Sequence, residues 1–263
     1  MNQNESSLRD DIVRVGKLMH QFEFVDGSAG NISARLEGDR ILATPSGLAK
    51  GFLTPEHLII VDLNGKVLPP TAPGLKPTSE LLMHLEAYKQ RADVMGVVHA
   101  HPITAVALTI VGVPLTDCII PESVVILGPI PTTPYANPAS AENQAAISEL
   151  IKYHDGIMLA YHGSLTVGAS VWEAYMKLET LEHTAKIIAQ ARMLGKVSPL
   201  PSHQVEKLID ARNKLGLNLP KDDELFCQYC NVTHARGKYM SEDELVQTIA
   251  EIVARDLTGL KDL

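Results

Sequence analysis

The pattern with the clearest chemical meaning is His99-Ala100-His101-Pro102, two imidazoles one residue apart at the end of the apolar run that begins at Val94. Alternate residues of a strand project to one side, so a strand ending here aims both rings at one point. Pro102 stops the strand and puts the pair at a sheet edge. His162 has a similar setting, after Ile157-Met158-Leu159-Ala160-Tyr161 and before Gly163. Two strands ending in histidine and meeting at one edge would give three nitrogen ligands and an open position, the donor set of a catalytic zinc site. A lone histidine in such a place is more often a hydrogen-bonded core group; the three together favour the metal. Glu80, in Lys76-Pro77-Thr78-Ser79-Glu80, sits at a helix start. An acidic residue there is ordinary filler for the helix dipole, and beside a metal it is a general base.

Two polar turns, Gly30-Asn31-Ile32-Ser33 and Thr44-Pro45-Ser46-Gly47, join the hydroxyls of Thr78 and Ser79 as candidate anion sites. Turn and helix-start N–H groups bind phosphate well, although most such turns only reverse the chain. Cys227-Gln228-Tyr229-Cys230 with His234 offers three ligands of a second zinc, and no second pair completes it. Glu179, Glu182 and His183 share one helix face and read as a solvated or subunit-contact surface. His20, His57, His84, His154 and His203 carry no motif.

The elements that must position these groups follow from hydrophobic period and turn residues. Helices are expected over Leu8 to Phe24, Thr78 to Arg91 (capped by Thr78 or Ser79), Thr104 to Val111, Ala139 to Tyr153, Trp172 to Leu194 and His203 to Leu215, and after Ser241, where Ser241 and Glu244 form a capping box. Strands are expected from the Gly27 to Arg35 turn, at Arg40 to Thr44, in a hairpin of Leu58 to Asp62 and Lys66 to Leu68 around Asn64-Gly65, and at Val94 to His101, Ser123 to Leu127 and Gly156 to Tyr161. Pro69 to Pro77 reads as a loop. Without a regular strand–helix–strand period, the expected fold is α/β: a single-domain α/β/α layer, its largely antiparallel sheet covered by helices. A break near Pro199-Leu200-Pro201 divides a catalytic domain, 1–198, from a helical C-terminal extension, 199–263.

Composition narrows the class. The 263 residues are 45% hydrophobic and 21% charged, ordinary for a globular chain. The net charge of -8 argues against a nucleic-acid surface. An N-terminus without an apolar leader, and no long apolar run, argue against export and membrane insertion. Three cysteines, Cys118, Cys227 and Cys230, do not look like a disulfide framework, so a reducing cytoplasm is the expected setting.

Taken in order, Gly30-Asn31-Ile32-Ser33, Thr44-Pro45-Ser46-Gly47, Thr78-Ser79-Glu80, His99-Ala100-His101-Pro102, Tyr161-His162-Gly163 and the helix from Glu173-Ala174 through Glu182-His183 resemble the class II aldolase/adducin family, over about residues 8–195. Within it the sequence is similar to the zinc-dependent sugar-phosphate aldolases. The resemblance implies metal ligation by His99, His101 and His162, with Glu80 as acid/base and as a ligand when substrate is absent. It implies a phosphate cradle of Asn31, Ser46, Gly47, Thr78 and Ser79, and a homotetramer with sites between subunits. Zinc is the expected cofactor, with manganese or cobalt also suited to three imidazoles. The expected partner is a small phosphorylated sugar or another anionic carbonyl compound.

Two departures bear on the substrate. Where fuculose-phosphate aldolases carry a tyrosine after the H-x-H-P strand, this chain reads Asp117-Cys118-Ile119-Ile120-Pro121-Glu122, so Glu122 is a candidate catalytic acid or merely a turn residue. The tail is also longer, and Tyr229 is its candidate to reach a site. The leading expectation is a lyase that cleaves a ketose 1-phosphate, similar to L-fuculose 1-phosphate or a deoxypentulose 1-phosphate, into dihydroxyacetone phosphate and an aldehyde. A sugar-phosphate 4-epimerase and a metal-dependent decarboxylase are alternatives on the same fold. A non-enzymatic adducin-like module is disfavoured by the intact histidines and Glu80.

Overall fold

The structure is a computed structural model, and it describes residues 4–230 and Val232. His234 and the helix expected after Ser241 lie outside the described residues.

Helix α1, Glu5–Gln21, is capped by Asn4, whose side-chain oxygen accepts from the Ser7 N–H at 2.8 Å. Leu8, Ile12, Val15 and Met19, at helical spacing, form its buried stripe. The strands are β1 (Asn31–Leu36), β2 (Arg40–Ala43), β3 (Ile59–Asp62), β4 (Val67–Leu68), β5 (Gly96–Ala100), β6 (Gly156–Leu159) and β7 (Gly163–Gly168). They form one seven-stranded sheet in the order β4-β3-β2-β1-β5-β7-β6, antiparallel at every pairing. The remaining helices are α2 (Leu81–Gln90), α3 (Ile103–Ile110), α4 (Pro121–Ile126), α5 (Ala141–Ser148), α6 (Val171–Leu194), α7 (Ser202–Lys214) and α8 (Asp222–Cys230).

Period-two alternation sorts the strand side chains between two cores. Ile32, Ala34, Leu42 and Val98 pack with α1 and α6 on one face. Ile41, Ala43, Val97, Leu165 and Val167 pack with α2 on the other, where Ile147 of α5 joins them. Helices thus cover both faces of the expected sheet. No helix among the described residues is long and apolar enough to cross a membrane.

Four expectations need correction. Ser123 to Leu127 is not a strand: Pro121 opens α4 at its first position, and buried Arg212 donates to the carbonyls of Val125 and Ile126 at 2.8 and 3.1 Å, closing the helix end. Tertiary contacts outweigh the β-branched valines there. The Gly163–Gly168 strand was not foreseen, although Ser-Leu-Thr-Val between two glycines has the period of two. Cys118 and Cys230 are joined in a disulfide across 112 residues, because α8 folds back onto the entry to α4. That bond removes Cys230 as a thiolate for a second zinc, while Cys227 is free and exposed. Tyr229 packs against the apolar cluster in which Val205, Ile209 and Phe226 of the tail meet Cys118 and Val124.

The tail is secured to α4. The Leu200 N–H donates to Cys118 O at 2.8 Å, and Arg212 also binds Asp222 at 2.8 Å. Removing one member of a buried ion pair leaves the other charge stranded. Arg212→Leu is expected to lower stability by about 3 kcal/mol, read as a lower urea midpoint. An unchanged midpoint would remove this contact as the anchor of the tail.

Candidate metal centre

Asn31 and Ser33 alternate with Ile32 and Ala34 along β1, and so face α2. The β1–β5 register sets Asn31 opposite His99 and Ser33 opposite Val97, so His99 shares that face. The same alternation carries past the strand end to His101, whose backbone N–H donates to Phe24 O at 2.8 Å. Helix α3 begins two residues later. Its Thr104 and Ala105 N–H groups donate to the buried Glu182 carboxylate of α6 at 3.1 and 2.9 Å, which anchors the chain just beyond His101. Glu182 is therefore not part of the solvated face expected for it.

His162 reaches the cluster by a different route from the one expected. It lies in the connection between β6 and β7, after Tyr161 in the left-handed region at φ 59°, and its N–H donates to Leu159 O at 3.0 Å. Strand β7 separates β6 from β5, and the hairpin folds His162 over the end of β5. Gly163 makes this possible: a Cβ there would lie 2.4 Å from Ala100 O and 2.9 Å from a ring carbon of both His99 and His101.

Glu80 immediately precedes α2 and is buried, its N–H donating to Thr78 Oγ1 at 3.3 Å. Its Oε2 lies 2.9 Å from His99 Nε2, and its Oε1 3.3 Å from His162 Nε2. The Nε2 atoms of His99 and His101 are 3.1 Å apart. Among the described residues, Glu80, His99, His101 and His162 form a group that could hold a metal ion, their donor atoms all within 4.8 Å of one another.

The chemistry of this donor set fits a cation. His99 Nδ1 lies 2.8 Å from Ser164 O, which can only accept, so in the neutral ring Nδ1 carries the proton and Nε2 presents a lone pair. That lone pair faces a carboxylate oxygen and another imidazole nitrogen. Glu80 Oε1 is buried without a hydrogen-bond partner. A divalent ion of the zinc, cobalt or manganese type would satisfy these electron-rich atoms together. Burial, reinforced by His99, pushes His101 and His162 down to about 4 against the opposing pull of Glu80. Burial raises Glu80, but His99, His162 and the Asn31 hydrogen bond outweigh it and hold the carboxyl well below the usual range.

The three polar turns are laced side by side. Thr44 N–H donates to Ile32 O at 3.0 Å, Thr78 N–H to Thr44 O at 3.1 Å, and Ser46 N–H to Lys76 O at 2.9 Å. Asn31 and Thr78 are buried at the floor, while Ser46, Gly47 and Ser79 are exposed. Lys50, buried, donates to Ser28 O at 2.6 Å and Leu48 O at 2.8 Å, joining the turn before Asn31 to the one after Ser46. Burial pushes its ammonium down to about 8, with Glu80 opposing.

Glu122 is not brought to this cluster within one chain. It lines a separate cavity of about 670 Å3 with Phe24, Ile126, Met176, Glu179 and His183. Sequence reasoning passed over His84, which is fully buried beneath Asn31 with Nε2 2.5 Å from Asn31 Oδ1. Its one available signal was the four-residue spacing from Glu80 on a helix. Lys50 carried no signal.

The sequence and the fold both have known relatives. The family described as class II aldolase and adducin N-terminal domain matches residues 10–189. The chain is 36% identical over 177 residues to an L-fuculose phosphate aldolase of Methanococcus maripaludis, covering 67% of this chain and 93% of that one. It is 35% identical over 188 residues to a 3-oxo-tetronate 4-phosphate decarboxylase of Escherichia coli, covering 70% and 87%. A solved L-fuculose 1-phosphate aldolase superposes with a TM-score of 0.72 at 25% identity, over 79% of this chain and 97% of that one.

Two outcomes follow from this packing. Gly163→Ala is expected to displace both rings, leaving the fold intact by circular dichroism but cutting bound metal well below that of the parent; full occupancy would contradict the close approach. In metal-free protein, His84, His101 and His162 have folded pKa values below the unfolded value of about 6.5. Their contribution to stability is therefore complete above about pH 6.5 and is lost as the pH falls towards 4. Thermal unfolding of the metal-free protein across that range is the check, and a Tm that rises on acidification would reverse the sign.

Proposed function

The chain belongs to the class II aldolase and adducin family, and on that premise we propose that it is a metal-dependent lyase. In this reading it cleaves a ketose 1-phosphate, similar to L-fuculose 1-phosphate or a deoxypentulose 1-phosphate, to dihydroxyacetone phosphate and an aldehyde. The observation that carries the reading is the buried Glu80 carboxylate set between His99 and His162, with Oε1 unpartnered.

His99, His101 and His162 hold the ion, with Glu80 as a further donor when substrate is absent. When bound, zinc, manganese or cobalt supplies a Lewis acid that stabilises negative charge on a carbonyl oxygen. The rest falls to the chain's own groups. Asn31, Ser46, Gly47, Thr78 and Ser79 hold the phosphate through N–H and hydroxyl donors, which orients the reacting bond. Cleavage breaks the carbon–carbon bond as the substrate hydroxyl gives up its proton and leaves as the aldehyde carbonyl, and the electron pair stays on the phosphate-bearing fragment. Glu80, ionised at rest, carries a proton from that hydroxyl to the carbon through Oε1, and takes it back in the condensation direction. The reading includes a homotetramer with sites between subunits, where Glu122, outside the metal cluster of its own chain, serves as an acid presented to a neighbour.

Decarboxylation is the second reading, favoured by the 35% identical relative named for that reaction and by the absence of a tyrosine between Asp117 and Glu122. Loss of carbon dioxide beside a ketone leaves charge at the same kind of carbon. A panel of ketose 1-phosphates and phosphorylated 3-oxo acids, scored for dihydroxyacetone phosphate and for carbon dioxide, separates the two. Chelator-sensitive triose release supports the aldolase, and carbon dioxide release without triose replaces it with the second reading. Glu80→Gln is expected to lower turnover about 10²- to 10⁴-fold while keeping metal; near-parental turnover removes Glu80 as the acid/base. His99→Ala is expected to lose tight metal binding, and full occupancy of that variant removes it as a ligand.

A further inference from the structure

We propose that His84 is a positioning residue for Glu80, acting through Asn31 in a buried hydrogen-bond chain that runs in one direction only. The proposal rests on the reading of Glu80 as acid/base.

The chain has four links. Asn31 Nδ2 lies 3.0 Å from Glu80 Oε2, and Asn31 Oδ1 lies 2.5 Å from His84 Nε2. His84 Nδ1 lies 2.7 Å from Ser33 Oγ, and Ser33 Oγ lies 2.9 Å from the Tyr88 hydroxyl. All these residues are buried, with His84 and Ser33 fully so.

Its direction follows from the chemistry of its ends. An ionised carboxylate only accepts, so the Asn31 amide must turn its N–H to Glu80 and its oxygen to His84. That oxygen needs a donor, so His84 carries its proton on Nε2. Burial keeps the ring neutral, so Nδ1 accepts from the Ser33 hydroxyl, and Ser33 in turn accepts from Tyr88. Tyr88 is fixed in place by Arg35, whose guanidinium lies over its ring at 4.9 Å and donates to its carbonyl.

A flipped Asn31 would set its oxygen against the carboxylate, a repulsive contact where a buried polar group needs an attractive one, and would force His84 into the opposite tautomer to accept the amide N–H. The histidine thus holds the amide, the amide holds Oε2, and Oε1 is left directed at His162. Two buried histidines on one face then carry opposite tautomers, Nδ1–H in His99 and Nε2–H in His84.

The test has two parts. In ¹⁵N-labelled protein, His84 is expected to stay in the neutral Nε2–H form from about pH 5 to 9, and the Asn31 side-chain amide signals are expected to move in both Glu80→Gln and His84→Leu. In turnover, His84→Leu is expected to lower kcat by about ten- to a hundredfold with KM and metal content near parental. His84→Gln, whose amide can donate to Asn31 and accept from Ser33, is expected to recover most of the loss. An Nδ1–H tautomer, an unmoved Asn31 amide, parental kcat in His84→Leu, or a folded His84→Gln no better than leucine would each overturn the proposal. The resonance measurements need no substrate, and the tautomer needs no variant. They decide the relay even if His84→Leu does not fold or the lyase reading fails on every substrate.

Discussion

The placement of β5 between β1 and β7 is the constraint from which the site follows. One neighbour sets Asn31 opposite His99, and the other brings the Ser164 carbonyl to His99 Nδ1. Because side chains alternate with a period of two, a slip of one residue would carry His99 to the α1–α6 face and bring Val98 into its place. The apolar sorting forbids this slip: Val97 belongs to the core beneath α2, and Val98 to the opposite one. Packing far from any reactive atom therefore decides which way the imidazoles point.

Within that register the polar groups form a continuous buried seam instead of scattered defects. Asn31, Ser33 and His84 would each be costly to bury alone. Together they satisfy one another and meet the Glu80 carboxylate. Glu80 shows the balance: burial alone disfavours its charge, and the neighbouring histidines and Asn31 outweigh that. On the outer side, the laced turns share one architecture with the seam, because Thr44 bonds both Ile32 and Thr78. The floor that would bind an anion and the wall that carries the carboxylate are thus one hydrogen-bonded unit.

Legibility in the sequence tracked how local each determinant was. His99 and His101 could be read from a strand period and a proline, and most helices from apolar spacing and end signals. The layered antiparallel fold followed from those elements. His162 was recognisable as a residue type in a context, but its arrival through the β6–β7 hairpin was not, because β7 is a weakly apolar strand between glycines. Glu80 was visible, but not that it would turn inward beneath Asn31. His84 offered only its spacing from Glu80, since its partner Asn31 lies 53 residues away, and Lys50 offered nothing, since the Ser28 carbonyl it binds lies 22 residues away. The Cys118–Cys230 pairing depended in the same way on where the tail folds back.

The strand order also dictates when this site can exist during synthesis. Strands β1 to β4 follow one another in the chain and lie side by side in the sheet, so each can pair as it emerges. Strand β5 pairs with β1 on one edge, but its other edge waits for Gly163–Gly168, more than sixty residues later. Until then the growing chain displays an open, apolar edge with His99 in it, the kind of surface on which unfinished chains adhere to one another. The ribosome must therefore deliver the chain through β7 before the imidazoles are enclosed, and as long as that edge stays open the metal cluster is incomplete.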